Sequence, residues 1–360
     1  MIKKIINLTI YIFSGAFSLT INVPEDFLDI QDAIDFSQDG DTIFVSPGVY
    51  FENINFNGKS ILVSSNYIED NDSLLIGVTI IDAGNEGSVV TFNSGENNNA
   101  ILQGFTLQNG NGNDEDPDNN GSFYTYGGGI YCENSDPLIK DCIIQNNTAN
   151  EGGGAGIFCY DSSPIFFGCT IKENETDDVG GGLYARDGSS PSFFDCIFMD
   201  NTAEFGGGCY LKSSSSPLME NVVFMQNNAN NSGGGIGLKD DANIEASNLT
   251  ISENLAEGLG GGLYINNADP TFSFALIVDN TASSGAGIYI RNNSEIDLTN
   301  ITLANNNAGL YGGGVYMRDN VTVNFTNSVL WNNGSNQIYF RSEGAEVALN
   351  VGYSIVENNQ

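Results

Sequence analysis

The residues best suited to chemistry in this chain form a stripe of basic side chains beside a column of tyrosines. The basic residues recur at a regular spacing, and most follow a tyrosine by two positions, so both sets lie on one face of successive strands. The tyrosines are Tyr184, Tyr210, Tyr264, Tyr289 and Tyr316, and the basic residues are Arg186, Lys212, Lys239, Arg291 and Arg318. Aromatic rings offer apolar surface to sugar rings, and cations attract carboxylate or sulfate groups. The pattern therefore indicates binding of an acidic polysaccharide or cell-surface glycan.

The same stripe permits an interpretation confined to the chain itself. Like charges on adjacent strands repel one another, so the basic residues need neutralising partners. Asp187 and Asp240 directly follow Arg186 and Lys239. These acids would neutralise the stripe, while the long basic stems would cover the tyrosine rings. The sequence leaves both interpretations open.

A second candidate site is an acidic segment before the regular repeats. Asp114, Asp116 and Asp118 alternate there, which resembles a calcium-binding loop weakly. Pro117 interrupts the segment, and no acid suited to bidentate binding follows at its end, so a solvated insertion is favoured. The expectation is no cofactor, with calcium as the alternative.

Composition excludes several classes of function. The 360 residues contain no histidine, which rules out imidazole catalysis and histidine-ligated metals. Acidic residues number 45 against 11 basic ones, a formal charge of −34 that repels nucleic acid and anionic lipid. No apolar run reaches the roughly 20 residues of a membrane span, so we expect no transmembrane segment.

A repeat of about 26 residues must position all of these side chains. Each repeat opens with a cluster of small residues and contains two short β-type runs, such as 129–133 and 138–144, separated by turn residues. No helical pattern lies between the runs. The sequence therefore predicts an all-β fold, a right-handed parallel β-helix solenoid with about 26 residues per coil and a short N-terminal capping helix.

Alignment of the repeats predicts the direction of the side chains. The columns beginning with Ile130 and Cys132 are apolar throughout and must face inward, whereas the column between them, beginning with Tyr131, must face outward. The cysteines follow the repeat, and we expect buried thiols, with disulfides between neighbouring coils as the alternative. One asparagine closes each repeat, and stacked amides are expected to form a structural ladder of Asn147, Asn174, Asn201, Asn227, Asn254, Asn280, Asn306 and Asn333.

Four segments are predicted along the chain. Residues 1–18 have the basic start, short apolar run and small-residue cleavage site of a signal peptide, so the protein is expected to be secreted or at the cell surface. Residues 19–110 form an N-terminal cap and irregular first coils, 111–126 an acidic insertion loop, and 127–360 the regular β-helix repeats. The chain stops in mid-repeat, which predicts a partner or further sequence at an uncapped C-terminal end.

The repeat motifs resemble a known family. A Gly-Gly-small-aliphatic motif alternates with Phe/Ile-x-x-Asn, as in Phe198-Met-Asp-Asn201 and Phe224-Met-Gln-Asn227, and this pairing resembles the polymorphic outer-membrane-protein repeat of surface adhesins. The resemblance implies the right-handed β-helix of the pectate-lyase-like superfamily. It also implies an exported, non-catalytic structural or binding module, adhesin-like in function. The competing class is a calcium-dependent polysaccharide lyase that would use one residue of the basic stripe as its base.

Overall fold

The computed structural model describes residues 18–67, 73–117, 121–334, 336–342 and 344–357. Almost all of the predicted signal peptide, residues 1–18, lies outside the described residues. Asp118 of the predicted calcium loop lies outside them too.

Three long parallel sheets form the walls of a β-helix. Within the described ranges, sheet A has thirteen strands: Thr20–Val23, Thr42–Val45, Leu62–Ser65, Ile101–Gln103, Leu138–Lys140, Ile165–Phe167, Ser192–Phe194, Leu218–Glu220, Glu245–Ser247, Thr271–Ser273, Ser294–Thr299, Val321–Thr326 and Val347–Gly352. The described part of sheet B has twelve: Gly48–Phe51, Thr79–Asp82, Thr106–Gln108, Ile143–Gln145, Thr170–Lys172, Ile197–Met199, Val223–Met225, Thr250–Ser252, Leu276–Val278, Thr302–Ala304, Val329–Trp331 and Ile355–Val356. The eleven described strands of sheet C are Ile54–Asn55, Val90–Phe92, Ile130–Glu133, Ile157–Tyr160, Leu183–Arg186, Cys209–Lys212, Ile236–Lys239, Leu263–Asn266, Ile288–Arg291, Val315–Arg318 and Ile338–Arg341. The predicted β-helix is confirmed, and its sheets already include coils before Gly127.

A fourth parallel sheet, the arm sheet, is formed by short strands that follow the sheet B strands in sequence and precede the glycine clusters. In the described chain its strands are Thr148–Ala149, Glu175–Thr176, Thr202–Phe205, Asn228–Ser232, Leu255–Ala256, Thr281–Ser284 and Asn307–Tyr311. Beside it, a three-stranded sheet joins the antiparallel pair Asn113–Glu115 and Tyr124–Tyr126 to Glu151–Gly153. The predicted insertion loop at 111–126 therefore includes a β-hairpin.

Left-handed residues bend each coil more often than the apolar pattern indicates. The run predicted at 138–144 divides into Leu138–Lys140 of sheet A and Ile143–Gln145 of sheet B, because Asp141 between them has φ of 50°. Asparagine and aspartate tolerate this conformation better than most residues. The continuous apolar run thus conceals a corner, and each coil from Ile130 to Tyr311 contributes to three walls and the arm.

The core fills the space between the three long sheets. Both predicted inward columns are buried, from Ile130 and Cys132 in the first regular coil to Val315 and Met317 in a late one. All six cysteines are buried and carry free thiols. Burial raises the pKa of the Cys142 thiol to about 12, as expected for a thiol that acts as a small apolar side chain.

A short helix, Ile30–Phe36, covers the N-terminal end of the stack, and a 3-10 helix spans Ser73–Val78. Ile30, Ala33 and Ile34 are buried against the first strands. The carboxylate of Glu52 accepts the backbone N–H groups of Ile30 and Gln31 at 2.9 and 2.8 Å, which satisfies donors that a helix N-terminus leaves unpaired.

The asparagines form a continuous buried ladder along the turn after sheet B. Nδ2 of Asn147 donates to Oδ1 of Asn174 at 3.0 Å, and the same oxygen accepts the backbone N–H of Asn147 at 3.1 Å. The pattern repeats from coil to coil as far as the pair Asn306 and Asn333, at 2.8 Å. The residue before each asparagine, for example Glu173 with φ of 55°, takes the left-handed conformation, while the asparagine supplies the hydrogen bonds.

Candidate functional site

The tyrosine column lies outside the barrel core, as its alternation predicts, but it is not open to solvent. Tyr184 and Tyr210 are only 5 % and 6 % exposed, since the arm-side residues Val179 and Phe205 pack against their cluster. Burial raises the pKa of both phenols well above the ordinary value. This differs from the expected exposed aromatic surface, because period-two alternation gives the direction of a side chain and not what covers it. A sugar ring cannot stack along the whole column.

The column is interrupted once among the regular coils. Gly237 occupies the tyrosine position of its strand, in register with Tyr210 on one side and Tyr264 on the other. The buried aromatic residues consequently divide into two clusters, one ending at Tyr210 and one beginning at Tyr264. Gly237 has no positive φ, so its backbone conformation does not require glycine there. What the glycine provides is the absence of a ring.

A cavity of about 390 Å³ lies at this interruption. Tyr184, Tyr210 and Tyr264 contribute aromatic surface, and Val179 and Phe205 form a wall from the arm side. Tyr210 and Tyr264 are two strands apart, which corresponds to roughly 9.6 Å at the usual inter-strand spacing. The missing ring therefore leaves room between two aromatic walls.

The polar lining of the cavity is mainly basic. Lys212, Lys239 and Arg291 contribute three cationic groups, Asp178 contributes a carboxylate, and Asn266 contributes an amide. The structure thus brings together six of the ten predicted ligand-binding residues, the three basic ones and Tyr184, Tyr210 and Tyr264. The same face continues beyond the cavity. Tyr289 lies on the strand of Arg291, and the next strand places Tyr316 beside Tyr289 and Arg318 beside Arg291.

Three basic residues of the stripe are neutralised by the next residue in the chain. Nε of Arg186 donates a charge-assisted hydrogen bond to a carboxylate oxygen of Asp187, and Nε of Arg318 donates one to Asp319 in the same way. Nζ of Lys239 lies 3.8 Å from the carboxylate of Asp240. Each of these acids takes a left-handed φ, which turns its side chain back toward the basic residue. The interpretation that the stripe is neutralised by acids of the same chain therefore accounts for these three basic residues.

Lys212 and Arg291 lack such an acid. Ser213 and Asn292 occupy the equivalent left-handed positions, with φ of 56° and 58°. Among the described residues, no salt bridge or hydrogen bond is found for the ammonium of Lys212. Nε of Arg291 is buried and has no hydrogen-bond partner in the described ranges, and its guanidinium carbon lies 5.5 Å from the centre of the Tyr264 ring. Both unneutralised cations line the cavity.

Asp178 is the acid that faces these cations. Burial raises its pKa, the neighbouring Asp177 adds to the rise, and the charge of Lys212 opposes it. The rise means that the carboxyl holds its proton to a higher pH than an exposed aspartate does. Asp178 therefore lines the cavity as a carboxyl group whose charge interacts with that of Lys212.

Sequence reasoning missed several residues of this face. Tyr339 and Arg341 extend both columns by another strand, in register with Tyr316 and Arg318, although no glycine cluster announces that coil. Asp178, Val179 and Phe205 were missed because they precede the glycine clusters, where the chain leaves the arm sheet for sheet C. A signal was available for the cavity itself, since Gly237 is the one residue without a ring in the aligned column from Tyr131 to Tyr316.

The predicted calcium loop has no assembled metal site in the described part of the chain. Asp114 lies in the hairpin strand Asn113–Glu115, and a carboxylate oxygen of Asp116 accepts the backbone N–H of Gly121 at 2.7 Å. No group of three or more potential ligands from histidine, cysteine, aspartate and glutamate is found among the described residues. Calcium binding by Asp114, Asp116 and Asp118 stays a prediction, since Asp118 is not described.

Comparison with protein families identifies the architecture. The family described as the right-handed β-helix region matches residues 31–193, 117–248 and 181–360. The chain belongs to the right-handed β-helix family. A search of curated proteins gave no match. In the described residues, no helix has the length and apolar character needed to cross a membrane.

Solved structures agree with this family. The chain is similar to pectate lyase Pel9A, with 13 % identity, a TM-score of 0.52, and coverage of 92 % of this chain and 79 % of that one. It is also similar to the A-module of the Azotobacter vinelandii mannuronan C-5 epimerase AlgE6, with 13 % identity, a TM-score of 0.50, and coverage of 92 % and 94 %. At this identity the likeness concerns the fold alone.

Proposed function

We propose that the protein is a non-catalytic β-helix module that binds an acidic polysaccharide at the face around Gly237. The observation that carries this proposal is the clustering of Lys212, Lys239 and Arg291 around one cavity in a protein of formal charge −34. Burial of a cation without a neutralising partner is unfavourable. Nε of Arg291 is buried without a hydrogen-bond partner, and neither Arg291 nor the half-buried Lys212 forms a salt bridge among the described residues. An anionic ligand would supply the missing partner.

The proposed setting is outside the cell. The signal-peptide features of residues 1–18 support export, and the outer-membrane-protein-type motifs support an adhesin-like role in secreted or surface-held form. Mass spectrometry of the protein recovered from an expressing culture tests export directly. Cleavage beside Ser18 is expected, whereas an intact Lys3 and Lys4 segment in the recovered protein would contradict it.

The lyase alternative is less well supported by the same cavity. Calcium-dependent elimination would need a basic residue near several carboxylates that hold the ion. Among the described residues, three cations and one carboxylate, that of Asp178, line the cavity. An absorbance assay for unsaturated uronates, with and without calcium, tests this alternative. Product formation would replace the non-catalytic proposal.

Binding is tested by titrating polygalacturonate and a sulfated polysaccharide into the protein, with neutral dextran as the control ligand. The double variant Lys212→Gln/Arg291→Gln should weaken binding by about tenfold or more, because charge-assisted hydrogen bonds are lost. The control variant Lys172→Gln removes a cation that is paired with Glu173 on sheet B, outside the stripe and the cavity, and it should bind nearly as the parent does. Absence of polymer binding by the parent, or equal loss in both variants, would contradict the proposal.

A further inference from the structure

We propose that the cavity at Gly237 is a subsite for one anionic sugar residue, whose carboxylate or sulfate is held by Lys212, Lys239 and Arg291. This inference rests on the proposed function and deepens it, because it assigns the ligand's charged unit to one place on the face. The cavity has the dimensions of a small ligand site, at the lower end of the roughly 300–1,000 Å³ typical of such sites. A single sugar unit suits that space better than a length of polymer.

The interruption of the tyrosine column creates the space. A Cβ atom at position 237 would lie 2.8 Å from Cδ2 of Tyr210, so the Tyr210 ring leans over the glycine and leaves no room there for a larger residue in its present position. In neighbouring coils the same position holds a ring, as in the pair Tyr264 and Tyr289, whose centroids are 5.8 Å apart. A tyrosine at 237 would force the Tyr210 ring, which lines the cavity, to move, and the two rings would together take up the space of the cavity.

The hydrogen-bonding groups point to an anion rather than a neutral ligand. Nε of Arg291 is a buried donor without a partner among the described residues, and Lys212 has no acid at the following position. Where water is partly excluded, the effective dielectric constant is lower, and attraction between a ligand anion and these cations is stronger than in bulk water. Asp178 and Asn266 also line the cavity and offer hydrogen-bonding groups to sugar hydroxyls.

The walls of the cavity favour entry by the end or a side branch of a polysaccharide. Val179 and Phe205 close the cavity on the arm side, and Phe205 packs against the Tyr210 ring with centroids 6.3 Å apart. A polymer running straight along sheet C would meet this wall. A terminal acidic sugar, entering with its charged group toward Lys212 and Arg291, would not.

Calorimetric titration with small ligands tests the subsite. The ligands are galacturonic acid, a sulfated monosaccharide, neutral galactose and inorganic sulfate. The proteins are the parent, Gly237→Tyr, Lys212→Gln/Arg291→Gln and the control Lys172→Gln, whose cation is paired with Glu173 on sheet B. We expect the parent and the control to bind at least one acidic sugar more tightly than galactose. Gly237→Tyr should abolish this binding, and the double variant should weaken it about tenfold or more. Inorganic sulfate binding as tightly as both acidic sugars would overturn the assignment to a sugar.

Other outcomes separate the subsite from the broader function. If the parent binds neither acidic monosaccharide, or if Gly237→Tyr and the double variant both bind as the parent does, the subsite is wrong whatever polymers do. If acidic monosaccharides bind and polymers do not, the subsite stands and the polysaccharide function fails. Circular dichroism and melting curves establish that each variant is folded, and the charge variants provide the test if Gly237→Tyr does not fold.

Discussion

The asparagine ladder and the face around Gly237 are both built by stacking equivalent positions of successive coils, yet their chemistry differs. In the ladder each amide meets an identical amide in the next coil, and donors and acceptors satisfy one another inside the protein. On the Gly237 face one ring is missing, and no acid follows Lys212 or Arg291 in the sequence. Nε of Arg291 has no hydrogen-bond partner in the part of the chain that the structure describes. Uniform columns stabilise the stack, and the irregular coil is where a ligand can be accommodated.

The largest expected effect breaks the ladder. Asn306→Ala removes the acceptor of the Asn280 backbone N–H and side chain and a donor to the carbonyl of Ile277. Because buried groups left without partners cost about 1–3 kcal/mol each, the free energy of unfolding should fall by about 3 kcal/mol or more. Chemical denaturation measures this change.

The neighbouring residue provides the control for that measurement. Asn307 follows Asn306 directly, but its side chain is exposed on the arm sheet. Asn307→Ala should change the unfolding free energy by only about 0.5 kcal/mol. Equal effects of the two substitutions would show that the ladder is not a main source of stability.

An intermediate effect is expected when the irregular face is made uniform. Ser213→Asp supplies the acid that follows Arg186, Lys239 and Arg318 but is absent after Lys212. The new carboxylate should neutralise Lys212 and weaken the binding of an acidic sugar by about tenfold. Ser214→Asp carries the same change in net charge one residue further along, and calorimetry should find a smaller loss for it. Equal losses would attribute the effect to net charge rather than to pairing.

The smallest effect concerns pH. Protonation of Asp178 removes a negative charge from the lining of the cavity. Affinity for a sulfated sugar should therefore rise, by about threefold, as pH falls through the raised pKa of this group. A sulfate ester stays ionised over this range, and the other acids acting on Asp178 are Asp177 and Glu204. Asp178→Asn should flatten the profile. A parent profile without pH dependence, or the same slope in Asp178→Asn, would remove Asp178 from the site.

Much of the architecture was predictable because equivalent positions of successive repeats lie in the same environment, so the residue types in each column show whether that position is buried. The inward columns, the buried cysteines and the N-terminal helix follow from apolar periodicity, which reports burial directly. The corner at Asp141 was missed because an apolar residue on each side of a bend gives the same pattern as a straight strand. Arg341 was missed because its coil lacks the usual glycine cluster, although hydrogen-bond register places it beside Arg318.

The sequence by itself determined the repeat, the direction of the tyrosine column and the absence of acids after Lys212 and Arg291, since these depend on local order along the chain. Only the tertiary structure decided that the tyrosines are covered, that the position without a ring becomes a cavity, and that Asp178 faces its cations. The physical reason is that alternation fixes which side of a strand a side chain occupies. Bends at left-handed residues elsewhere in the coil decide whether the arm-side residues pack over that side chain. The function of a solenoid face depends on both.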